Sequence, residues 1–541
     1  MTLLLLVLAG QAFGQAGRYG QNIYVEGEVS GHWAADTVFV TGDIYLPPFE
    51  YLEIMPGVRV QFQGYYGFVV QGEELHVVGT PQAPIVFTVN DTTGLHDIYI
   101  PDGGWKGITI WGDLGKGLPG PSVDFQHVHI EYAKAIHGQG LMHGGGLYVE
   151  GSGQFGFYRT TFFRNQAYLY GGGAYVQHAS PGFIHCHFIE NKAGHPPSEE
   201  ETYGAGGGLF GKHSKALLQD SRFEGNWASG VGGGLCLDSA DVSVFNNVFK
   251  YNYAMIGGAI SYLRSAPSTG MVNNLVAFNE ATFFGGGIAM LTYWGHLVNN
   301  TIVYNHTVMG GGIYLNEDAR PLFRNTILWG NTAYVPNDYQ MFTWDSVSSA
   351  HFYYSLVEGG TDGFGGAGFD GDFVSCLQDD PMFMEEGDHP FALQAGSPAI
   401  VAGCPDTHEL AFIPQKDLAG NARIMNDRID IGAYELQDDI TFVCPDAGQA
   451  EEMALQVYPH PATGSSILSF SLCGPARVSL QLHDALGRTT GPSWQKELPA
   501  GKHAYSLQEL FGRGQLDGGT WYVLSLTAGH RTGRTVVLTT R

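Results

Sequence analysis

The chain has 541 residues, and its 52 acidic against 26 basic residues give a formal net charge of −26 at neutral pH. This balance argues against nucleic-acid binding, because a polyanion requires a basic surface. The 78 glycines and an aromatic fraction of 13% indicate tight turns between short strands, since a disordered chain would be poor in aromatic residues.

The N-terminus begins with a short apolar run from Met1 to Gly14, followed by small residues. This pattern is typical of a secretory signal peptide, and we assign residues 1–16 to it, although no basic residue opens the run. No later stretch has 18 uninterrupted apolar residues, so the sequence predicts no transmembrane segment in the mature chain.

Short strands separated by turn residues follow the signal peptide. They are predicted at Thr37–Ile44, Leu52–Phe62, Leu75–Thr80, Pro84–Thr88 and Trp105–Ile110. We expect them to form the opening coils and cap of a larger repeat structure.

Between Gly144 and Asn331 the chain repeats one pattern seven times. Each unit has three small residues, a strand, a second strand, and an apolar residue three positions before an asparagine. The closing asparagines are Asn165, Asn191, Asn226, Asn252, Asn279, Asn305 and Asn331, so the period is 26 or 27 residues with one step of 35. A fixed period of this size predicts a solenoid whose stacked units share one core.

Alternation within each unit predicts which side chains form that core. In the first strand the inward positions begin with Leu147 and Val149 and end with Ile313 and Leu315, and like residues should stack about 4.8 Å apart. The glycine triplets are expected at one corner and the closing asparagines at another, where asparagine tolerates the left-handed backbone region and can hydrogen-bond neighbouring backbone. A second ladder, Asn247, Asn274 and Asn300, each preceded by another asparagine, should line an inner turn. The insertion at His195–Tyr203 is predicted to be a loop.

The repeats at residues 144–331 resemble those of chlamydial polymorphic outer-membrane proteins, which are surface adhesins. The upstream strands resemble the opening coils of bacterial right-handed parallel β-helix proteins. Four downstream stretches, Asp380–Phe383, Leu393–Ile400, Asp417–Arg423 and Asp430–Glu435, are similar to the terminal segment of secreted β-helix proteins. These resemblances imply an all-β chain with a right-handed single-stranded parallel β-helix over residues 17–436, whose terminal segment closes the last coils.

Residues 437–453 are predicted to be a linker, and residues 454–541 a separate module with eight basic and four acidic residues. The module resembles the C-terminal sorting domain of the type IX secretion system of the Bacteroidetes, a small β-sandwich. Its landmarks are Tyr458, Pro459, Pro461, Gly487 and Arg488, whereas His460 stands where the family usually has asparagine. The resemblance implies export to the outer-membrane surface or the medium, with the type IX machinery as a partner.

The outward side of the first strand carries the candidate binding residues. Aromatic rings interleaved with amide and charged groups suit a glycan, because sugar faces stack on rings while hydroxyls take polar partners. The candidates are Tyr148, Glu150, Tyr175, Gln177, Phe210, Lys212, Asp238, Tyr314 and Asn316. The alternative is an ordinary sheet partly covered by loops.

Catalysis has weaker support in the sequence. A lyase requires a base and usually calcium, and Arg320–Arg324 only faintly resembles a lyase motif. A glycosidase requires two carboxylates across one cleft, but Glu150, Asp238 and Glu317–Asp318 lie in different coils. We predict no catalytic residues.

No metal centre or cofactor is predicted, although structural calcium is possible at Asp370–Asp372 or Asp427–Asp430. The histidines at 143, 178, 185 and 187 are more consistent with outward or packed side chains than with a metal site. Cys186 and Cys236 occupy core-like positions, and a disulfide among Cys376, Cys404 and Cys444 is plausible in an exported protein.

We therefore expect an exported, non-catalytic adhesin or glycan-binding protein of the cell surface. The alternative is a polysaccharide lyase or glycoside hydrolase that acts on the lateral face of the β-helix.

Overall fold

The structure is a computed structural model. It describes residues 21–115, 120–138, 140–195, 203–265, 270–334, 340–404, 415–425, 429–437, 455–458, 466–472, 475–484, 488–499, 501–512, 521–528 and 531–538. The predicted signal peptide, nearly all of the predicted linker and most of the predicted loop at 195–203 lie outside these ranges.

Short strands before the repeats form the first coils, as predicted. They are β1 (Asn22–Glu28), β2 (Gly31–Trp33), β3 (Thr37–Leu46), β4 (Tyr51–Ile54), β5 (Arg59–Phe62), β6 (Phe68–Val70), β7 (Glu74–Val78), β8 (Ile85–Val89), β9 (Ile108–Trp111), β10 (Ser122–Gln126), β11 (Val128–Glu131) and β12 (Lys134–Ala135).

Each repeat then contributes four strands. They are β13 (Leu147–Glu150), β14 (Gln154–Tyr158), β15 (Thr161–Phe163), β16 (Gln166–Ala167), β17 (Ala174–Gln177), β18 (Gly182–Ile184), β19 (His187–Ile189), β20 (Lys192–Ala193), β21 (Leu209–Lys212), β22 (Leu217–Gln219), β23 (Arg222–Glu224), β24 (Trp227–Ala228), β25 (Leu235–Asp238), β26 (Ser243–Phe245), β27 (Val248–Lys250), β28 (Tyr253–Ile256), β29 (Ile260–Leu263), β30 (Gly270–Val272), β31 (Leu275–Ala277), β32 (Glu280–Phe284), β33 (Ile288–Leu291), β34 (His296–Val298), β35 (Thr301–Val303), β36 (His306–Thr307), β37 (Ile313–Asn316), β38 (Leu322–Arg324), β39 (Ile327–Trp329) and β40 (Thr332–Ala333).

The last coils contain β41 (Met341–Thr343), β42 (His351–Tyr353), β43 (Leu356–Val357), a 3-10 turn (Gly360–Gly363), β44 (Phe364–Gly366) and β45 (Phe373–Val374). Strands of successive coils pair in parallel, first with first, second with second, third with third and fourth with fourth. We call these the first-strand to fourth-strand faces. The predicted parallel β-helix is confirmed.

The interior consists of the predicted ladders of identical positions. Phe162, Phe188, Phe223 and Phe249 stack with ring centroids 4.7, 4.5 and 4.7 Å apart. Leu147, Leu235 and Ile313 are fully buried. A narrow apolar cylinder therefore replaces a globular core.

The glycine triplets form a corner, as predicted. The first glycine has a positive φ, 64° at Gly206. A Cβ on the second, Gly207, would lie 2.4 Å from the carbonyl oxygens of Gly233 and Trp227. The triplet therefore permits an approach of backbones that any side chain would block.

The closing asparagines differ from the prediction in their backbone conformation. The left-handed position is the residue before each of them, for example Tyr251 with a φ of 57°. Asn226 itself is fully buried, and its Nδ2 donates to the Phe188 carbonyl (2.8 Å) and to Asn252 Oδ1 (2.9 Å). The asparagines form a hydrogen-bonded ladder that satisfies backbone groups inside the corner. The inner ladder of Asn247, Asn274 and Asn300 is buried as predicted.

The terminal segment lies along the solenoid rather than over its last coils alone. Its described residues from Asp380 to Leu436, here called the docked segment, cover outward side chains of the third-strand face from Leu275 to Leu356. Asn273 Nδ2 donates to the Lys416 carbonyl (2.8 Å), which fixes the segment to a corner of the coils.

Beyond the predicted linker, antiparallel strands form a separate C-terminal module. A three-stranded sheet holds β46 (Leu455–Tyr458), β47 (Ile467–Leu472) and β50 (Gly501–Ser506), and a four-stranded sheet holds β48 (Ala476–Asp484), β49 (Thr489–Leu498), β51 (Trp521–Ala528) and β52 (Arg531–Leu538). A short helix, α1 (Leu507–Phe511), starts at a Ser506 capping box. The module has its own apolar core, which includes Leu468, Leu480 and Leu524. Within the described residues, no helix has the length and apolar character needed to cross a membrane.

Candidate functional site

The aromatic side chains predicted to line the first-strand face are buried. Tyr148, Tyr175 and Phe210 stack in adjacent coils at 5.2 and 5.5 Å between centroids, and their exposed fractions are only 5%, 3% and 4%. Tyr170, which precedes a glycine triplet, stacks on Phe210 at 4.8 Å. The expected exposed aromatic row is therefore wrong as a structural prediction, because residues before the triplets fold over the strand.

Tyr314 is covered in the same way. Its ring is 4% exposed and stacks on Phe284 at 4.7 Å between centroids. Burial raises the pKa of Tyr314 to about 12. This ring has no open face on which a sugar could stack.

The polar residues at the end of this face bond mainly to one another. The Tyr148 hydroxyl donates to Glu150 Oε2 (2.5 Å), Gln177 Nε2 donates to Glu150 Oε1 (3.0 Å), and the Tyr175 hydroxyl donates to Gln177 Oε1 (2.5 Å). Burial, followed by the bond to Glu150, raises the pKa of Tyr148. Glu150 and Gln177 thus use their acceptors within the protein.

The remaining predicted binding residues are half-buried on the same face. Asp238 Oδ1 accepts from Arg264 Nη2 (2.7 Å), whereas Lys212 and Asn316 reach the surface at the ends of β21 and β37. Glycan binding by the nine predicted residues stays a prediction, but it can involve only their polar ends.

A groove of about 660 Å³ lies elsewhere, where the third-strand face meets the docked segment. Three consecutive coils supply one wall, and residues 415–420 of the docked segment supply the other. The lining residues are His185, His187, Gln219, Asp220, Ser221, Arg222, Asn246, Val248, Gln415, Lys416, Asp417, Leu418, Ala419 and Gly420.

Alternation and register place the solenoid side chains in this groove. His187, Arg222 and Val248 occupy the first position of β19, β23 and β27 and face outward in register. His185 and Asp220 stand at the left-handed corner before these strands, with φ of 54° and 50°. The corner projects their side chains into the groove beside the strand residues.

The two cations of the groove form no tight ion pair. Arg222 Nη1 lies 3.8 Å from Glu224 Oε1, and its side chain is 57% exposed. Lys416 is exposed and has no ion-pair partner in the part of the chain that the structure describes. Both remain available to an external anion.

The two carboxylates of the groove are engaged within the protein. Asp220 accepts from Asn246 Nδ2 (3.1 Å) and Gln219 Nε2 (2.8 Å). Asp417 is 2% exposed and accepts from the backbone N–H groups of Ala419 (3.0 Å) and Glu435 (2.8 Å), among others. A two-carboxylate mechanism therefore lacks a second accessible acid.

Two imidazoles and a hydroxyl continue the outward row of Arg222 toward the N-terminus. His129, Thr161, His187 and Arg222 follow one another in register on the third-strand face. Partial desolvation and then Arg222 lower the pKa of His187, so this imidazole is favoured in its neutral form.

The docked wall is held by a buried cluster of ionisable side chains. Arg423 is fully buried and donates from Nη2 to the carbonyls of Asp430 (2.9 Å) and Gly432 (2.7 Å). Glu435 Oε2 lies 3.7 Å from Arg423 Nε, and burial raises the Glu435 pKa to about 9. The motif residues of the terminal segment thus have a structural role that fixes one wall of the groove.

Exposed aromatic rings border the same face. Tyr251, Phe278 and Tyr304 are 62%, 40% and 40% exposed and stack at 5.5 and 5.6 Å between centroids. Each stands immediately before a closing asparagine, a recurring signal that we did not interpret from the sequence. In the preceding coil the equivalent position is Gly225, so the ladder of rings begins at Tyr251.

The other sequence candidates do not assemble a site. Asp318 Oδ1 accepts from Arg320 Nε (2.8 Å), and the Arg324 guanidinium lies 5.4 Å from the Tyr353 ring centroid. Among the described residues, no three His, Cys, Asp or Glu side chains group as metal ligands. Asp372 accepts from the Tyr353 hydroxyl (2.6 Å), and calcium there stays a prediction.

The cysteine and sorting predictions are only partly covered by the structure. Cys186, Cys236 and Cys376 are buried free thiols, so Cys376 is not bonded to Cys404; Cys444 lies outside the described residues. Pro459, Pro461 and Gly487 also lie outside them. Tyr458 ends β46 and Arg488 is exposed.

A match to a family model agrees with the fold. Residues 118–288 match the family model described as "Right handed beta helix region". A search of curated proteins found no significant match. Among solved structures, the enzymatically active domain of tailspike protein 4 from bacteriophage CBA120 aligns with 9% identity over 92% of this chain and 64% of that chain, with a TM-score of 0.18.

Proposed function

We propose that this protein is an exported surface protein that binds glycans without catalysis, as an adhesin or glycan receptor. The observation that carries the proposal is the groove of about 660 Å³ between the third-strand face and the docked segment. It is open, lined by both polar and apolar groups, and built on paired strands, whereas the aromatic row of the first-strand face is covered.

The chemistry of the groove suits a carbohydrate. Arg222, His187 and Lys416 supply hydrogen-bond donors, and Gln219 and Asn246 line it with amide groups. Sugars require several directed polar contacts of this kind, together with apolar or aromatic surface for their C–H faces. Val248 and Leu418 provide apolar contacts in the groove, and Tyr251 provides an exposed ring on the same face.

We propose further that the C-terminal module directs export through the type IX secretion system. The resemblance of its sequence landmarks supports this, and so does its folding into two small antiparallel sheets around a separate core. In a secreting Bacteroidetes host, we expect deletion of residues 454–541 to retain the protein in the periplasm. Surface or culture-medium delivery of the truncated chain would contradict the proposal.

One observation favours a second candidate function, a polysaccharide lyase. Burial and Arg222 hold the pKa of His187 low, so a neutral base stands beside a guanidinium that could neutralise a uronate. Such an enzyme would abstract the sugar C5 proton and eliminate the C4 substituent. We favour binding because both carboxylates that line the groove, Asp220 and Asp417, accept hydrogen bonds within the protein.

The experiment is to incubate the purified chain with neutral and acidic polysaccharides, with and without calcium. Binding is measured by affinity electrophoresis, and turnover by reducing ends and by ultraviolet absorbance of unsaturated products. We expect binding without turnover. Turnover that is lost in His187→Ala would favour the lyase, and the absence of binding to every polysaccharide would reject both functions.

A further inference from the structure

Two fixed cations line the groove of a strongly acidic protein. The chain carries a net charge of −26, whereas Arg222 and Lys416 line the groove from its two walls and have no tight ion pairs among the described residues. An acidic protein repels polyanions at long range, so an anionic ligand would be held only where cations without tight ion pairs are exposed to it.

We infer that the groove selects glycans that carry an anionic group, a carboxylate or a sulfate, which Arg222 and Lys416 bind from opposite walls. This inference rests on the proposed glycan-binding function and specifies its ligand class. Guanidinium groups bind carboxylate and sulfate oxygens through two parallel N–H bonds, which gives both strength and orientation.

The carboxylates in the groove do not cancel this preference. Asp417 is 2% exposed and directs its oxygens at backbone N–H groups, so a ligand does not meet it. Asp220 accepts two side-chain amide bonds, and His185 Nε2 lies 3.8 Å from its Oδ2. Glu224, the closest carboxylate to Arg222, is 3.8 Å away and can be replaced by a ligand anion.

Neighbouring coils extend the basic character along the solenoid. Arg159 stands at the left-handed corner one coil before His185, and His127 one coil before Arg159, with φ of 49° and 50°. Successive coils are about 4.8 Å apart, close to the length of one sugar unit, so a polyanionic chain along this corner would pass from the groove to Arg159, a fixed cation two coils before Asp220. The arrangement therefore fits an acidic polysaccharide better than a single charged monosaccharide.

The test compares polygalacturonate, chondroitin sulfate and neutral dextran as ligands of the full chain, with inorganic sulfate as a competitor. We expect both acidic polymers to bind and dextran to bind more weakly. Arg222→Ala should weaken acidic binding roughly tenfold, because a charge-assisted hydrogen bond is lost, and Lys416→Ala should act in the same direction.

Arg320→Ala is the matched control. Its side chain is 52% exposed, close to the 57% of Arg222, but it lies away from the groove. Thermal unfolding followed by circular dichroism checks that all variants fold. Binding of acidic polymers that neither groove variant weakens, or equal binding of dextran, would overturn anion selection and leave the proposed function standing. Binding of no glycan would remove the proposed function and this inference together.

Discussion

The first-strand and third-strand faces present the same kind of outward position in the same coils but differ in what covers them. Tyr175 points outward from β17 and is 3% exposed, because His143 and Phe210 stack against its ring. Arg222 points outward from β23 and its side chain is 57% exposed. An outward position in a strand is therefore a surface position only where no neighbouring segment packs over it.

The covering segment differs between the faces. On the first-strand face it is local, since Tyr170 and Ala205 each precede a glycine triplet and belong to the repeat. On the third-strand face it is the docked segment, which comes from later in the chain, buries outward side chains from Leu275 to Leu356 and reaches Val248 at its edge. The coils before the docked segment leave the third-strand face open to solvent. The groove lies where this open part meets the docked segment.

The largest expected effect is the difference in stability lost when a covered ring and an exposed ring are removed. Tyr175→Ala should lower the free energy of unfolding by about 3–5 kcal/mol, because it removes a ring packed on both sides. Tyr251→Ala, at a ring that is 62% exposed, should cost less than about 1 kcal/mol. Chemical denaturation of both variants measures the difference, and equal losses would show that the first-strand ring is not part of the core.

A second prediction concerns the corner that brings the covering residues into place. Gly207→Ala should destabilise the protein by about 2–3 kcal/mol, since its Cβ would lie 2.4 Å from two carbonyl oxygens of neighbouring coils. Gly182→Ala is the control: its Cβ would meet no atom within 4 Å, and the change should stay within about 0.5 kcal/mol. Indistinguishable melting temperatures for the two variants would contradict the close packing of the triplets.

The stability that the docked segment contributes to the folded protein should depend on pH. Burial raises the pKa of Glu435 from 4.5 to about 9, so the folded state holds a proton that the unfolded state has released over this range. Folding stability should therefore fall as pH rises from about 5 to 9, because the folded state binds more protons. The raised pKa of the buried Asp430 adds to the same direction.

Thermal unfolding at several pH values measures this dependence. Glu435→Gln should flatten it, while Glu224→Gln, at a carboxylate on the open face, should leave it unchanged. A pH dependence that Glu435→Gln makes less favourable at high pH than at low pH would show that Glu435 is ionised in the folded protein and stabilised by Arg423.

Much of the fold could be predicted from period and alternation. The period of 26 or 27 residues and the inward positions of Leu147 and Phe188 depend on contacts between neighbouring coils, which repeat in the sequence. The sequence predicts left-handed backbone at the closing asparagines, because asparagine favours it in general, but the residue before each of them adopts it. The asparagine amide is needed inside the corner instead.

The site itself could not be predicted from these patterns. Asn299 Nδ2 donates to the Asp430 carbonyl across 131 positions of sequence, and no local pattern records such a contact. The groove exists only because the docked segment stops beside Arg222 and Val248. Sequence reasoning identified the strands and the terminal motifs separately, but their meeting place is a tertiary property.

The smallest expected effect tests whether a bound polysaccharide reaches beyond the groove along the third-strand face. Arg159 is exposed at the corner one coil before His185, outside the groove lining. Arg159→Gln should weaken binding of an acidic polysaccharide roughly two- to threefold at low salt and have no effect at high salt, since a charge beside the groove acts through a screened field. Lys192→Gln, at an exposed cation on the fourth-strand face, is the control. If both variants change affinity equally, the effect comes from net charge; if only Arg159 matters, the polysaccharide follows the corner beyond the groove toward the N-terminus.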